Sequence, residues 1–347
     1  MRKRGVGIGI SFYGTGYGNG FPDISRAKVK LLNKGSIGIF VGATEVGQGA
    51  KTVLTQIASE TLNIGLEDIL FICEDTFITP DSGTAAASRQ TYNTGNAIKI
   101  ACENFKGKLF QIVKEELKLN STVGLTIGKG MIYLGNFPEK SISLESLSEK
   151  YCESPIECKG IFTAGTTQMN PENGQGAPYW PYTFGACSVE VEVDTLTGKI
   201  ELIDACVAQD VGRAINPILI EGQIDGGFSM ALGYALMEDL KLERGEIYNN
   251  KFSRYLIPTA MDMIDIKKII VEDPEETAPY GAKGIGEPCM IPVAPAILNA
   301  IHDALEVRIF ELPATPEKIL KAIKGKESGD EFNGKGNVEK YDWYCKR

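Results

Sequence analysis

A single histidine, His302, is all that this 347-residue sequence offers for imidazole chemistry. It lies in IPVAPAILNAIHDAL, a helical apolar pattern that accounts for the residue as packing or surface without any catalytic duty. Ser-His-Asp and Cys-His hydrolysis would both have to rest on it, so both are set aside. The eight cysteines, at 73, 102, 152, 158, 187, 206, 289 and 345, include no CxxC pair. They lack the spacing of a zinc or iron-sulfur site and read as small buried hydrophobes kept reduced, which implies a cytoplasmic compartment. A basic excess is also missing: the formal charge is -9, which leaves no footprint for nucleic acid. No apolar run approaches the roughly 18 residues that span a bilayer, so no membrane association is expected. The opening MRKRGVGIGISFYG is basic and then apolar, but glycines interrupt it and no clean cleavage site follows. It reads as a strand.

What is present is enough apolar residue, 43% of the chain, for one large core or two moderate ones. Alternation from Ser36 to Val41, helical spacing at Val53, Leu54, Ile57, Ala58 and Leu62, and a strand from Ile69 to Cys73 form a β-α-β unit. Its strand-to-helix turn is Thr44-Glu-Val-Gly-Gln-Gly49, and free N–H groups at such a turn make an anion cradle, or else a plain connection. A second glycine-bearing turn, Pro80 to Gln90, places three consecutive alanines ahead of a helix with Ile98, Ala101, Phe105, Leu109 and Ile112 on one stripe. The stretch from Ser141 to Gly176 is polar and reads as a long irregular connection between lobes. Beyond it, Ala186–Val193 and Ile200–Val207 alternate around turn residues as a hairpin. Asn216-Pro217 then opens a long helix through Gln223, Phe228, Ala231 and Leu236. The expected fold is α+β, with a first lobe over 1–140, a second over 141–325, and a charged tail over 326–347. The tail ends with Tyr341, Trp343 and Tyr344, rings suited either to docking on a partner or to a flexible terminus.

The run Gly281-Ala-Lys-Gly-Ile-Gly-Glu-Pro288 sets one carboxylate, Glu287, between glycines and a rigidifying proline. Such a carboxylate suits a general base held close to something bulky, and taken alone it equally suits a solvated loop. The glycines do not make a nucleotide fold. Gly14 to Gly20 alternates every second residue instead of giving G-x-G-x-x-G, and GAKGIG lacks the Lys-Ser/Thr ending of a Walker loop. Three backbone-lined turns and one clamped glutamate suggest a large anionic cofactor.

These residues resemble the molybdenum hydroxylases, the family of xanthine dehydrogenase, aldehyde oxidoreductase and nicotinate dehydrogenase. Four motifs carry the likeness, in the family's order: T-E-x-G-Q-G at Thr44–Gly49, S-R-Q at the end of Ala85–Gln90, N-P-x-x-x-x-G-Q at Asn216–Gln223, and G-x-G-E-P at Gly284–Pro288. The resemblance implies that Gly47, Gln48 and Gly49 hold a molybdopterin, that Ala86, Ala87, Ser88 and Arg89 line the metal and its dinucleotide, and that Gln223 faces the pterin. The S-R-Q form resembles bacterial members, implying the cytosine dinucleotide form, with a sulfido or selenido ligand on molybdenum. Glu287 is then the base that deprotonates the oxygen nucleophile in a hydroxylation using water, a task favoured by partial desolvation of the carboxylate.

The resemblance covers only the C-terminal part of the family's molybdenum module, and Met1 stands just before the strand that opens its second half. That implies a subunit break like the one between the large and medium molybdopterin subunits of nicotinate dehydrogenase or of split bacterial xanthine dehydrogenases. The implied partners are a large molybdopterin subunit, an FAD subunit and a [2Fe-2S] subunit, which carry the electrons away. Tyr13, in a glycine-rich segment, is the local candidate for substrate contact, although packing or a strand-end turn also explains a tyrosine there. An N-heteroaromatic substrate such as nicotinate or a purine is expected, ahead of an aldehyde or a non-catalytic pterin-binding scaffold.

Overall fold

The structure, a computed structural model, describes residues 1–18 and 22–328. Tyr341, Trp343 and Tyr344, with most of the expected tail, lie outside the described residues. The fold is α+β and is built around two hydrophobic cores.

Strand β1 (Arg2–Gly14) alternates glycines with large apolar residues, so its two faces differ. Strands β2 (Ile24–Leu31), β3 (Ile37–Val41) and β4 (Ile69–Ile72) form the first sheet, with β3 and β4 parallel across helix α1 (Ala50–Leu62). That is the expected β-α-β unit. Helix α2 (Gly95–Glu116) packs beside α1, and Val29, Ile39, Leu54, Ile57, Ile98 and Phe105 are buried between helices and sheet. A small separate sheet follows, of β5 (Leu125–Gly128), β6 (Met131–Leu134) and β7 (Phe137–Ser143), and then helix α3 (Leu144–Lys150).

The stretch read as an irregular connection contains a strand, β8 (Glu157–Thr163), which pairs antiparallel with β2 and completes the sheet in the order β4-β3-β2-β8. The reason it escaped notice is local. Its inward positions are Cys158, Gly160 and Phe162, and Gly160 approaches α2 so closely that a β-carbon there would lie 2.1 Å from the carbonyl oxygen of Ala97. A strand that needs no side chain at its centre carries little apolar signal.

The second core belongs to β9 (Tyr182–Asp194) and β10 (Ile200–Asp210), the expected hairpin, flanked by β1 and by β13 (Lys267–Val271) in the order β1-β9-β10-β13. Helix α4 (Pro217–Leu236) is capped by Asn216, whose Oδ1 accepts from Leu219 N at 3.1 Å. After the short ladder β11 (Leu242–Glu243) and β12 (Glu246–Ile247), helices α5 (Val293–Leu305) and α6 (Pro316–Glu327) close the core. The sheets thus cross the boundary expected between residues 140 and 141: β1 pairs with β9, and β8 with β2.

Gly5, Gly7 and Gly9 face α5, where β-carbons would meet Ala300, Ala296 and Pro292 carbonyl oxygens at 2.3, 2.1 and 2.0 Å. The opposite face of β1 carries Val6, Ile8, Ile10 and Phe12, which are 52–77% exposed, beside Phe184 on β9. Among the described residues no helix is long and apolar enough to cross a membrane.

Candidate active site

Glu287 lies in the turn that leads into α5, and three donors converge on its carboxylate. Ala87 N donates to Oε1 at 3.0 Å, Ser88 Oγ donates to Oε2 at 2.8 Å, and the Tyr13 phenol donates to Oε2 in a short hydrogen bond. Ser88 Oγ also accepts from Glu287 N at 3.0 Å, so the serine grips both the backbone and the side chain of the glutamate. The clamp is therefore made of residues far apart in sequence, not of Pro288 alone. Tyr13 sits at the end of β1, half-buried, and burial first, then the bond to Glu287, pushes its phenol well above the usual tyrosine value. The substrate-facing candidate thus turns its hydroxyl to Glu287.

The loop that supplies two of these donors is held in an unusual backbone. Ala87 and Ser88 both have positive φ, 59° and 51°. Side chains rarely adopt that region, and it persists where surroundings over-determine it. Arg89 provides the surroundings. It is 1% exposed, and all five guanidinium N–H groups are used: Nε on Asp23 Oδ1, Nη1 on the carbonyls of Ser82 and Thr84, Nη2 on Ile24 O and Ser25 Oγ. Its charge is spent inside the protein, so its side chain acts as a strut for the loop; no donor remains for a dinucleotide phosphate. Gly284 completes the fit, since a β-carbon there would lie 1.7 Å from Ser88 O. Gly286 has no such demand, its nearest neighbours being Gln223 Oε1 and Ser88 Oγ at 3.8 Å.

Gln48, Gly49, Ala86, Ser88, Arg89, Gln223 and Glu287 all line one cavity of about 300 Å³. Gly47, Ala87 and Tyr13 adjoin it without lining it. The turn Thr44–Gly49 differs from the open cradle expected of it. Glu45 folds back so that Oε1 accepts from Gly47 N and Gly49 N at 2.7 and 3.1 Å, and Oε2 from Lys51 N at 2.9 Å. Partial burial pushes the Glu45 carboxyl up, but these backbone bonds at the start of α1 outweigh it and hold the carboxyl below its ordinary value. Gln48 is likewise turned inward to its own loop, with Nε2 on Thr44 O at 3.0 Å and Oε1 on Val46 N at 2.7 Å.

Two polar side chains on the cavity wall are left open. The Gln223 side chain, on α4, has no hydrogen-bond partner among the described residues. Arg213, just ahead of α4, is an exposed cavity-lining cation with no partner among the described residues, whereas Lys283 on the same wall is bound to Asp210 at 2.8 Å and to Asp273 at 3.4 Å. Sequence reasoning passed over Arg213. The signal was its place between the end of β10 and the Asn216-Pro217 cap, where a strand-to-helix turn presents a side chain to a ligand. Burial pushes the Cys187 and Cys289 thiols up to about 12.

The profile of the molybdopterin cofactor-binding domain family matches residues 1–264. The chain is similar to a probable xanthine dehydrogenase subunit of Bacillus subtilis, 36% identical over 326 residues, covering 93% of this chain and 42% of that protein. Among solved structures it resembles aldehyde oxidoreductase from Desulfovibrio gigas, with TM-score 0.77 and 32% identity over 93% of this chain and 33% of that one. It also resembles quinoline 2-oxidoreductase from Pseudomonas putida 86, with TM-score 0.78 and 25% identity over 93% of this chain and 42% of that one. The chain spans less than half the length of each of these proteins.

Proposed function

Because this chain belongs to the molybdenum hydroxylases, as part of their molybdopterin cofactor-binding domain, we propose that it is the cofactor-holding portion of a multi-subunit hydroxylase with Glu287 as general base. The observation that carries the reading is the Glu287 carboxylate, fixed by Ala87, Ser88 and Tyr13 at the wall of the cavity that Gln48, Gly49, Ala86 and Gln223 share. The residues present fit the cofactor. A cavity of about 300 Å³ is at the lower end of small-molecule sites, roughly 300–1,000 Å³, and it can be extended by a second chain. Small residues at 49, 85 and 86 line the cavity, and Gln223 and Arg213 offer an amide and a cation without protein partners among the described residues.

In this reading Gly47, Gln48 and Gly49 abut the pterin from α1, Ala86, Ala87 and Ser88 from the strained loop, and Gln223 from α4. Arg89 contributes as the strut behind the loop, and Arg213 takes the anionic end of a molybdopterin cytosine dinucleotide. When bound, the cofactor supplies the two-electron oxidation. The chain's own part is to receive a proton: Glu287 Oε1, which accepts a single hydrogen bond, from Ala87 N, keeps a lone pair for the proton of the oxygen nucleophile, with water as the oxygen source.

The substrate is proposed to be an N-heteroaromatic ring such as nicotinate or a purine, a choice supported by the xanthine- and quinoline-acting names among the relatives. A large molybdopterin subunit would cover the apolar face of β1, with FAD and [2Fe-2S] subunits passing electrons onward in the cytoplasm. The decisive experiment is Glu287→Gln in the co-expressed complex. It should assemble and retain cofactor while losing about 10²- to 10⁴-fold in turnover. Near-normal turnover would remove Glu287 from the role, and oxidation of aldehydes alone would remove the heterocycle.

A further inference from the structure

We propose that Tyr13 is a positioning residue for the base: with Ser88 it saturates Oε2 of Glu287, so that Oε1 alone is left to take the proton. This rests on the reading of Glu287 as the base. A carboxylate oxygen has two lone-pair sites, and Oε2 accepts from both the Tyr13 phenol and Ser88 Oγ, while Oε1 accepts only from Ala87 N. Charge-assisted bonds of this kind are the strong ones, and two on one oxygen fix the rotation of the carboxyl plane. The phenol comes from β1 and the carboxylate from the turn before α5, so the contact joins residues 274 positions apart. Burial keeps the phenol protonated through the working range, and it remains a donor.

Other titratable groups leave this arrangement intact. Tyr17, beyond the end of β1, is pushed up by burial first and feels Arg89, Asp23 and Glu287. Arg89 and Asp23 neutralise each other behind the loop. Tyr234 from α4 lines a second, apolar cleft that also reaches Glu287.

Tyr13→Phe keeps the ring and removes the donor. In the complete complex with cofactor it should lower kcat about tenfold with KM little changed, the size expected for losing a hydrogen bond to a charged group. Ser88→Ala takes away the other donor to Oε2 and should lower kcat in the same way with KM little changed, which keeps the test open if the tyrosine variant fails to assemble. An unchanged kcat in either variant overturns the proposal, as does a rise in KM with kcat intact, which would make the phenol a substrate contact. Glu287→Gln separates the two ideas: if it stays active the base reading fails, whereas an inactive Glu287→Gln beside a wild-type-like Tyr13→Phe defeats positioning alone.

Discussion

The 82–89 loop and the Arg213–Gln223 segment line the same cavity and treat their polar groups in opposite ways. In the loop, Arg89 uses all five N–H groups on protein partners and Ser88 binds Glu287 twice. On the other wall, the Arg213 guanidinium and the Gln223 amide bind nothing among the described residues. The difference separates two demands of a catalytic site. Groups that move a proton must already be in place, whereas groups that hold a ligand must stay uncommitted until it arrives.

Several changes would break that contrast. The largest effect is expected from Arg89→Met, which leaves Asp23 buried and unpaired; about 3–5 kcal/mol should be lost in thermal or denaturant unfolding, without any ligand present. An unchanged unfolding midpoint would mean the guanidinium is not a strut. Gly284→Ala comes next, because its β-carbon would collide with Ser88 O and displace the serine that grips Glu287. A shift near ~1 Å should reduce turnover on the order of 10²-fold with the fold retained, as circular dichroism would report. On the open wall the expectation reverses. Arg213→Ala should leave unfolding unaffected and weaken cofactor retention roughly fivefold to tenfold, measured by pterin fluorescence and metal content of the purified complex. If stability drops instead, Arg213 belongs to the framework and the contrast collapses.

The smallest effect concerns Glu45, whose carboxyl is held below its ordinary value of 4.5 by backbone N–H groups despite the upward push of burial. A carboxyl lowered on folding adds stability above its unfolded value, and that stability is lost as pH falls through the folded one. Glu45→Gln should therefore destabilise the chain by a few tenths of a kcal/mol at neutral pH and remove part of its acid sensitivity below about pH 4.5. Parallel melting curves of the two proteins at neutral and acidic pH would check it.

Local patterns carried the sequence reading well. The β-α-β unit, the β9–β10 hairpin, the Asn216 cap and the α5 helix all announce themselves through periodicity and turn chemistry within short windows. The four ordered motifs led to the molybdopterin-binding family for the same reason. What remained hidden depends on distant partners. Arg89 reads as a free cation until Asp23 is brought beside it, and the Thr44–Gly49 turn reads as a cradle until Glu45 closes it. Strand β8 gives little pattern because Gly160, which has no side chain, makes its closest contact, and the pairing of β1 with β9 joins strands too far apart in sequence for any local window. The bond from Tyr13 to Glu287 needed both ends of the chain at once.

The glycine face of β1 sets a tolerance for the chemistry. Gly5, Gly7 and Gly9 let the strand lie in backbone contact with α5, and a slip of one residue would drive Val6, Ile8 and Ile10 into the helix. The phenol lies near the end of the strand and the carboxylate in the turn that leads into the helix, so the seam works as a gauge that machines the gap between them. A β-carbon added at Gly9 would leave every residue of the cavity untouched and still mis-set the tool.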